Sequence, residues 1–224
     1  MATILTVLSR LLKTSGNAVA LCLVSPSAAT CWIEKTISPG GEGIFNFWSH
    51  VFAVLPGQPG IFLRRGFYRL TLARCSASMT VGFGAFFAHR EAEVGDDVYV
   101  GPFAVIGRAR LGAGTLIGTR ASLLSGSMQH EWDDNGRLRP SPATSLRQIE
   151  IGQHTWIGEA ATVMADVGDR ALVSAGAVVS TPVPGDVVVA GNPARFVRRL
   201  RPDAAKVVVE FKERGHEPLV HLRH

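Results

Sequence analysis

Val94-Gly95, Val100-Gly101, Ile106-Gly107, Leu111-Gly112, Ile117-Gly118 and Leu123 mark an aliphatic residue, usually followed by glycine, that returns every six positions apart from one five-residue step. The beat resumes at Ile151-Gly152, Ile157-Gly158 and Val163. After a four-residue step it continues through Val167-Gly168, Val173-Ser174 and Val179-Ser180. A period of six fits neither an α-helix nor an alternating strand. It is the signature of a parallel β-helix of hexapeptide repeats. The aliphatic residue points inward, three hexads close a triangular coil, and each coil rises about 4.8 Å above the last. The small residue that follows is expected to ease the backbone through its turn, because glycine adopts unusual φ at no steric cost.

The beat spans about residues 79–190 and fails between Leu124 and Gln148, where Ser125 to Arg137 is polar and contains His130. A long irregular loop inside a compact repeat is usually functional. The chain before the beat is apolar and basic. Residues 1–37 read as helical and end at Ser38-Pro39-Gly40-Gly41. A second helix is expected over Ile44 to Leu55, stopped by Pro56-Gly57-Gln58-Pro59-Gly60, and a third over Ile61 to Arg74. The third sets Phe62, Leu63, Phe67 and Leu70 against Arg64, Arg65, Arg69 and Arg74. Such a helix reads either as a membrane-surface element with arginines on headgroups or as a cap over the open edge of the first coil. The division expected is residues 1–78 as a helical extension, 79–201 as the β-helix domain with loop 124–148, and 202–224 as a tail.

The 224 residues carry a formal net charge of +5, with arginines clustered at Arg64–Arg74 and Arg195–Arg201. That balance favours phosphate-bearing ligands or an anionic surface. Nucleic acid is not expected, since no recognition motif accompanies the clusters. The cysteines, Cys22, Cys31 and Cys75, are odd in number and unpaired in spacing, which suggests neither a disulfide framework nor a zinc site. The apolar run Ala18 to Val24 is too short to span a bilayer, and Ser27-Ala28-Ala29 only mimics a signal cleavage site, so a cytoplasmic setting is expected.

Trp156-Ile157-Gly158, Val173-Ser174-Ala175-Gly176-Ala177-Val178-Val179 and Gly191-Asn192-Pro193-Ala194-Arg195, with the loop histidine, resemble the hexapeptide-repeat acetyltransferases, in particular the galactoside, maltose and polysaccharide O-acetyltransferase branch. Leu55-Pro56-Gly57 through Leu63-Arg64-Arg65-Gly66-Phe67-Tyr68-Arg69 is similar to the front end of colanic-acid-type enzymes. The resemblance covers about residues 79–201. It implies a mainly β fold, a left-handed parallel β-helix, assembled as a homotrimer. It also implies acetyl transfer from acetyl-CoA to a hydroxyl of a sugar or polysaccharide precursor, without a metal.

By that resemblance His130 is the general base that deprotonates the acceptor hydroxyl. Glu131, Asp133, Asp134 or a backbone carbonyl would orient its imidazole. Ala175 matches the small residue along the pantetheine arm. Ser180 and Thr181 match residues that contact the CoA end. Arg195 and Arg198 match arginines on the nucleotide phosphates, with Arg199 and Arg201 as reserves. Trp156 either walls the acceptor site or packs at a subunit interface. Two departures stand out: Met128 occupies a position near which relatives often carry a second histidine, and Thr181 stands where lysine is common. His154 is a weaker candidate base on a flat wall, and His50 and His89 read as structural. A cytosolic donor, with the basic aromatic helix, suggests an acceptor at the inner membrane face. The alternatives are another acyl donor, an amine acceptor or a non-catalytic scaffold. A γ-type carbonic anhydrase would need three zinc-binding histidines that this spacing does not supply. A nucleotidyltransferase would need a nucleotide domain that residues 1–78 are too short to form.

Overall fold

The computed structural model describes residues 2–126, 130–140 and 146–200, with side chains from residue 15 onward except at 131 and 140. Three helices precede the solenoid: α1 (Ala2–Ile37), α2 (Gly43–Ala53) and α3 (Gly57–Thr71). The Pro-Gly stretch expected to separate α2 from α3 instead forms the first turn of α3. Pro56 is its N-cap residue, and Pro59 is tolerated because the first turn has no backbone N–H partner to lose.

The coils stack on this cap. The first holds β1 (Arg74–Cys75), β2 (Thr80–Val81) and β3 (Phe86–Phe87). The second holds β4 (Glu93–Val94), β5 (Tyr99–Val100) and β6 (Val105–Ile106), and the third β7 (Ala109–Leu111), β8 (Leu116–Ile117) and β9 (Ser122–Leu123). A hairpin of β10 (His130–Trp132) and β11 (Leu138–Pro140) then interrupts the stack. The fourth coil holds β12 (Ile149–Ile151), β13 (Trp156–Ile157) and β14 (Thr162–Val163). The fifth runs through Val167, β15 (Leu172–Val173) and β16 (Val178–Val179). The sixth has Val183 and β17 (Val187–Ala190), after which β18 (Arg195–Arg199) turns back antiparallel on β17.

Every coil-to-coil pairing is parallel and gives three walls. The first wall is β1-β4-β7-β12, continued by bridges at Val167 and Val183. The second is β2-β5-β8-β13-β15-β17-β18, and the third is β3-β6-β9-β14-β16. The repeating aliphatic residues, Val94, Val100, Ile106, Leu111, Ile117, Leu123, Ile151, Ile157, Val163, Val167, Val173 and Val179, are all buried, and they form one core continuous with Phe45 and Phe67 of the cap.

The glycine of each hexad has a different role from the one its position suggests. The unusual backbone occurs two residues later, on ordinary side chains: Asp97, Phe103, Arg120, His154, Ala160, Arg170 and Asp186 have φ between 52° and 59°. Each is the third residue after an inward aliphatic. Each donates its N–H one coil below, Asp97 to Ser78 Oγ and the other six to a carbonyl, as Phe103 does to Phe83 and Arg120 to Pro102, which holds the strained corner in place. The glycine directly after the aliphatic is needed for close stacking. A Cβ on Gly118 would lie 2.6 Å from the nitrogen of Glu159, nearer than real Cβ atoms approach.

Two arginines of α3, Arg64 and Arg65, are committed inside the fold, whereas Arg69 is exposed. Arg64 is 1% exposed. Its Nε donates to the Val81 carbonyl, and its Nη1 to the carbonyls of Phe52, Ala53 and Leu55. Arg65 donates to the Met79 carbonyl. Both arginines therefore satisfy backbone at the foot of the solenoid, where the first coil has no coil beneath it. Gly60 is small because a Cβ there would run into the Leu55 carbonyl. Tyr68 is fully buried, with its hydroxyl between Ser49 and the Phe87 N–H, and burial pushes its pKa up to about 12.

Candidate active site

The loop that breaks the beat leaves from the corner between the third and first walls, and both of its ends are tied down. Ser125 is buried; its Oγ accepts the Arg108 N–H and its carbonyl accepts the Arg147 N–H. Arg108 Nη1 donates to the Leu146 carbonyl, Gln148 donates to that of Glu91, and Arg147 pairs with Asp166. Between these anchors β10 and β11 pair in the register His130↔Pro140, Glu131↔Arg139 and Trp132↔Leu138. Met128 lies outside the described residues.

His130 is exposed and opens β10. Among the described residues its imidazole has no hydrogen-bond partner. Asp133, one of its proposed orienters, is fully engaged elsewhere. Its Oδ1 accepts the N–H groups of Asn135 and Arg137, and its Oδ2 accepts Arg139 Nε at 2.9 Å. Asp133 thus organises the hairpin turn and stays away from the ring.

The sequence-predicted cofactor residues fall at two corners and on one strand. Leu124, Met164 and Ser180 stack in one column, joined by Leu124 N–H to the Val163 carbonyl and Met164 N–H to the Val179 carbonyl. Ser180 and Thr181, both exposed, therefore stand two coils, about 10 Å, above the loop's departure point. Ala175 lies at the corner between the second and third walls. There the sixth coil takes a short cut. Val178 donates to the Gly191 carbonyl, only two residues past Val189, whereas one coil lower Thr162 donates to Ala177, four residues past Val173. Gly191 has φ 95°, which suits this sharp reversal. The short cut leaves a notch: a Cβ on Gly176 would meet nothing within 4 Å, whereas one on Gly84 would meet the Phe103 ring.

Arg195 opens β18 opposite Ala190, at the rim of this notch, and Arg198 follows opposite Val188. Both are exposed. Their guanidinium groups donate to the neighbouring carbonyls of Ala194 and Arg199, and neither has an acidic partner among the described residues. Arg199 faces Val187, and Arg201 lies outside the described residues. The antiparallel return of β18 gave no sequence signal beyond the end of the beat.

Trp156 is on the second wall, 50% exposed, between Leu116 and Leu172. It therefore belongs to a different wall from the corner where the His130 loop departs. His154 sits at a corner, not on a flat wall, with φ 53° and its ring against Gly114. His89 Nδ1 lies 2.6 Å from Glu42 Oε2, and His50 meets Phe86 edge to face, so both join the cap to the first coil. Glu42, His89 and Glu91 bring ligand-type atoms within 4.8 Å of one another. Glu42 also accepts the Arg90 N–H, so this group is a bonded link between cap and solenoid. A groove of about 510 Å3 on the first wall, lined by Arg74, Glu93, Arg110 and Gln153, contains none of the predicted site residues.

No protein-family model matches the chain. It is 29% identical over 128 residues to WbbJ of Escherichia coli (strain K12), named for lipopolysaccharide biosynthesis O-acetyl transfer, covering 53% of this chain and 62% of that protein. It is 33% identical over 73 residues to the galactoside O-acetyltransferase of the same organism, covering 33% and 34%. Each match spans less than two thirds of the relative's length. The fold is similar to that of a galactoside acetyltransferase solved in complex with coenzyme A, with a TM-score of 0.56 and 20% identity over 73% of this chain and 82% of that one. The architecture is the left-handed parallel β-helix with an N-terminal helical region. In repeat, fold and relatives, the chain fits the hexapeptide-repeat acetyltransferase family.

Proposed function

We propose that the protein is an acetyl-CoA-dependent O-acetyltransferase acting on a hydroxyl of a sugar or polysaccharide precursor in the cytoplasm. The observation that carries this reading is the notch over Ala175 and Gly176, with unpaired Arg195 at its rim. A flat groove floored by small residues suits a pantetheine arm. Guanidinium groups without acidic partners suit phosphates. Ala175, Ser180 and Thr181 would follow the arm, and Arg195 and Arg198 the nucleotide end. WbbJ and the galactoside enzyme are named as O-acetyl transferases, which favours a hydroxyl acceptor over an amine.

In this reading the His130 imidazole accepts the proton of the acceptor hydroxyl as its oxygen attacks the thioester carbonyl. The carbon–sulfur bond then breaks, the acetyl group remains on the acceptor oxygen, and the imidazolium returns the proton to the departing CoA thiolate. No acyl-enzyme forms. A free imidazole on an exposed hairpin can play this part only if acceptor and donor meet beside it. Trp156 and the loop base lie on different walls of one chain, so a site containing both takes them from different subunits. The exposed apolar column Tyr99, Leu116 and Trp156 on the second wall supports the homotrimer.

The test is calorimetric titration with acetyl-CoA, followed by CoA-release assays against a sugar panel. Micromolar binding that weakens in Arg195→Ala, and turnover abolished in His130→Ala with binding intact, are the expected results. Absence of binding at millimolar donor would replace the enzyme with a scaffold.

A further inference from the structure

Helix α1 presents two apolar faces. One buries Ala20, Val24, Ser27, Ala28 and Cys31 in the cap. The other is bare: Val19 is 58% exposed, Leu23 66%, Ile33 57% and Ile37 78%. Their spacing of four, ten and four residues returns them to one side of a 3.6-residue helix. Helix α2 is fastened beside α1 where the Trp48 indole donates to Thr30 Oγ1 at 3.0 Å, and its own Phe47 is 59% exposed. Among the described residues nothing covers this surface. Bare apolar area of this kind marks an interaction surface.

The charge pattern chooses the partner. The 20 residues from Thr14 to Ile33 hold no Asp, Glu, Lys or Arg. As helix they run about 30 Å, the thickness of a bilayer's hydrocarbon region. Arg10 and Lys13 precede the run, and exposed Lys35 follows it. The segment Ser15–Ile37 is long and apolar enough to cross a membrane, which the shorter run Ala18 to Val24 is not. In the folded chain, however, Val24 and Cys31 are part of the core shared with α2, α3 and the coils, so α1 cannot leave to span without opening the cap. A helix held by one face, bare and uncharged on the other, and flanked by cations has the form of an interfacial anchor. The buried bonds of Arg64 and Arg65 remove them from that role.

We propose that the bare face of α1, from Val19 to Ile37, docks the protein on a phospholipid bilayer with the helix axis in the membrane plane. This proposal is independent of the acyl-transfer reading. The bare face lies on the cap, and the second-wall column that would join subunits is a separate surface.

The experiment uses the full chain and vesicles of equimolar phosphatidylcholine and phosphatidylglycerol. Co-sedimentation of the wild type is expected, with at least about tenfold weaker partitioning for Leu23→Glu combined with Ile33→Glu. Melting and sedimentation velocity of that variant should be unchanged, since both side chains face outward. Exposed Cys22, on the same face, gives a reading free of any folding defect. An environment-sensitive dye on its thiol should shift to the blue when vesicles are added. Failure of the wild type to bind, a dye that does not respond, or equal binding by the double variant would overturn the proposal. A double variant that changes only the oligomeric state would make the stripe a subunit contact instead.

Discussion

Gly158 lies under the Ser174–Ala175 peptide, so closely that a methyl on Gly158 would run into the backbone nitrogen of Ala175. The floor of the proposed pantetheine groove is therefore set by a glycine one coil below it. Gly158→Ala should cost about 3 kcal/mol, because the obstacle is backbone on both sides and neither coil can yield without breaking its hydrogen bonds. Gly176→Asn, at a left-handed corner with open space, should cost within about 1 kcal/mol, since seven such corners already carry side chains. Thermal melts of the two variants separate close stacking from φ strain. Acetyl-CoA affinity should fall in Gly158→Ala if Ala175 lines the site.

Arg64 is the pin between cap and solenoid. Arg64→Met would leave the carbonyls of Val81 and Leu55 without the Arg64 donor in a dry setting, at a loss of about 3 kcal/mol, while those of Phe52 and Ala53 keep the backbone N–H groups of Leu55 and Gly84. Arg64→Lys should recover only part of it, because one ammonium cannot reach both the Val81 and the Leu55 sides as a fork does. Urea unfolding measures both. A loss under about 1 kcal/mol would mean that the cap and first coil relax around the vacancy.

The repeat was readable because inward aliphatics at a period of six leave a mark on sequence that no other element shares. What failed to show was whatever depended on neighbours in space. Arg64 and Arg69 look alike to an amphipathic helix pattern, yet Arg64 is buried against the Val81 carbonyl of the first coil while Arg69 is exposed. The glycine of each hexad was legible as small but not as a stacking contact, since the atom it avoids belongs to a residue of the next coil, dozens of positions away for Gly118. His130 stood out by its loop. The engagement of Asp133 in its own turn, and the short cut at Gly191 that opens the notch, required coordinates.

Acid should weaken the cap before the coils. The Glu34 carboxylate accepts the N–H groups of Ile44 and Phe45 and pairs with Arg90, and Glu42 accepts His89 and the Arg90 N–H. Burial raises both pKa values, but these donors outweigh it and hold both below the usual 4.5. A carboxyl with a depressed folded-state pKa stabilises the fold above its unfolded value. That contribution is lost as pH falls from 4.5 through the folded value. Melting temperature should therefore drop in that acid window. Glu34→Gln should melt lower at neutral pH and show a shallower acid decline.

The hairpin that carries His130 depends on Asp133. Asp133→Ala removes the one oxygen that accepts both turn N–H groups, together with the Arg139 pair, and should lower kcat about tenfold by letting His130 wander, with acetyl-CoA affinity unchanged. Asp133→Asn keeps an acceptor for Asn135 and Arg137 but loses the charge facing Arg139, so it should fall between. A shift in acetyl-CoA affinity with kcat intact would place the hairpin's influence on the donor and not on the base.

The second wall should govern assembly. Tyr99, Leu116, Trp156 and Leu172 are adjacent rungs of one parallel ladder, the first three between 42% and 50% exposed. The matching rungs of the first wall are Glu93, Arg110 and Glu150, paired with one another as ions and content in water. An apolar column beside a charged one on the same prism is why the second wall is the face proposed to join subunits. Leu116→Glu with Trp156→Glu places two like charges on neighbouring rungs, so any copy packed there would have to bury them unpaired. The variant should sediment as a monomer with a melting temperature close to that of an isolated wild-type chain, because neither side chain contributes to the core. Retention of the oligomer would assign Trp156 to the acceptor site, and the same variant would then lose turnover while staying assembled.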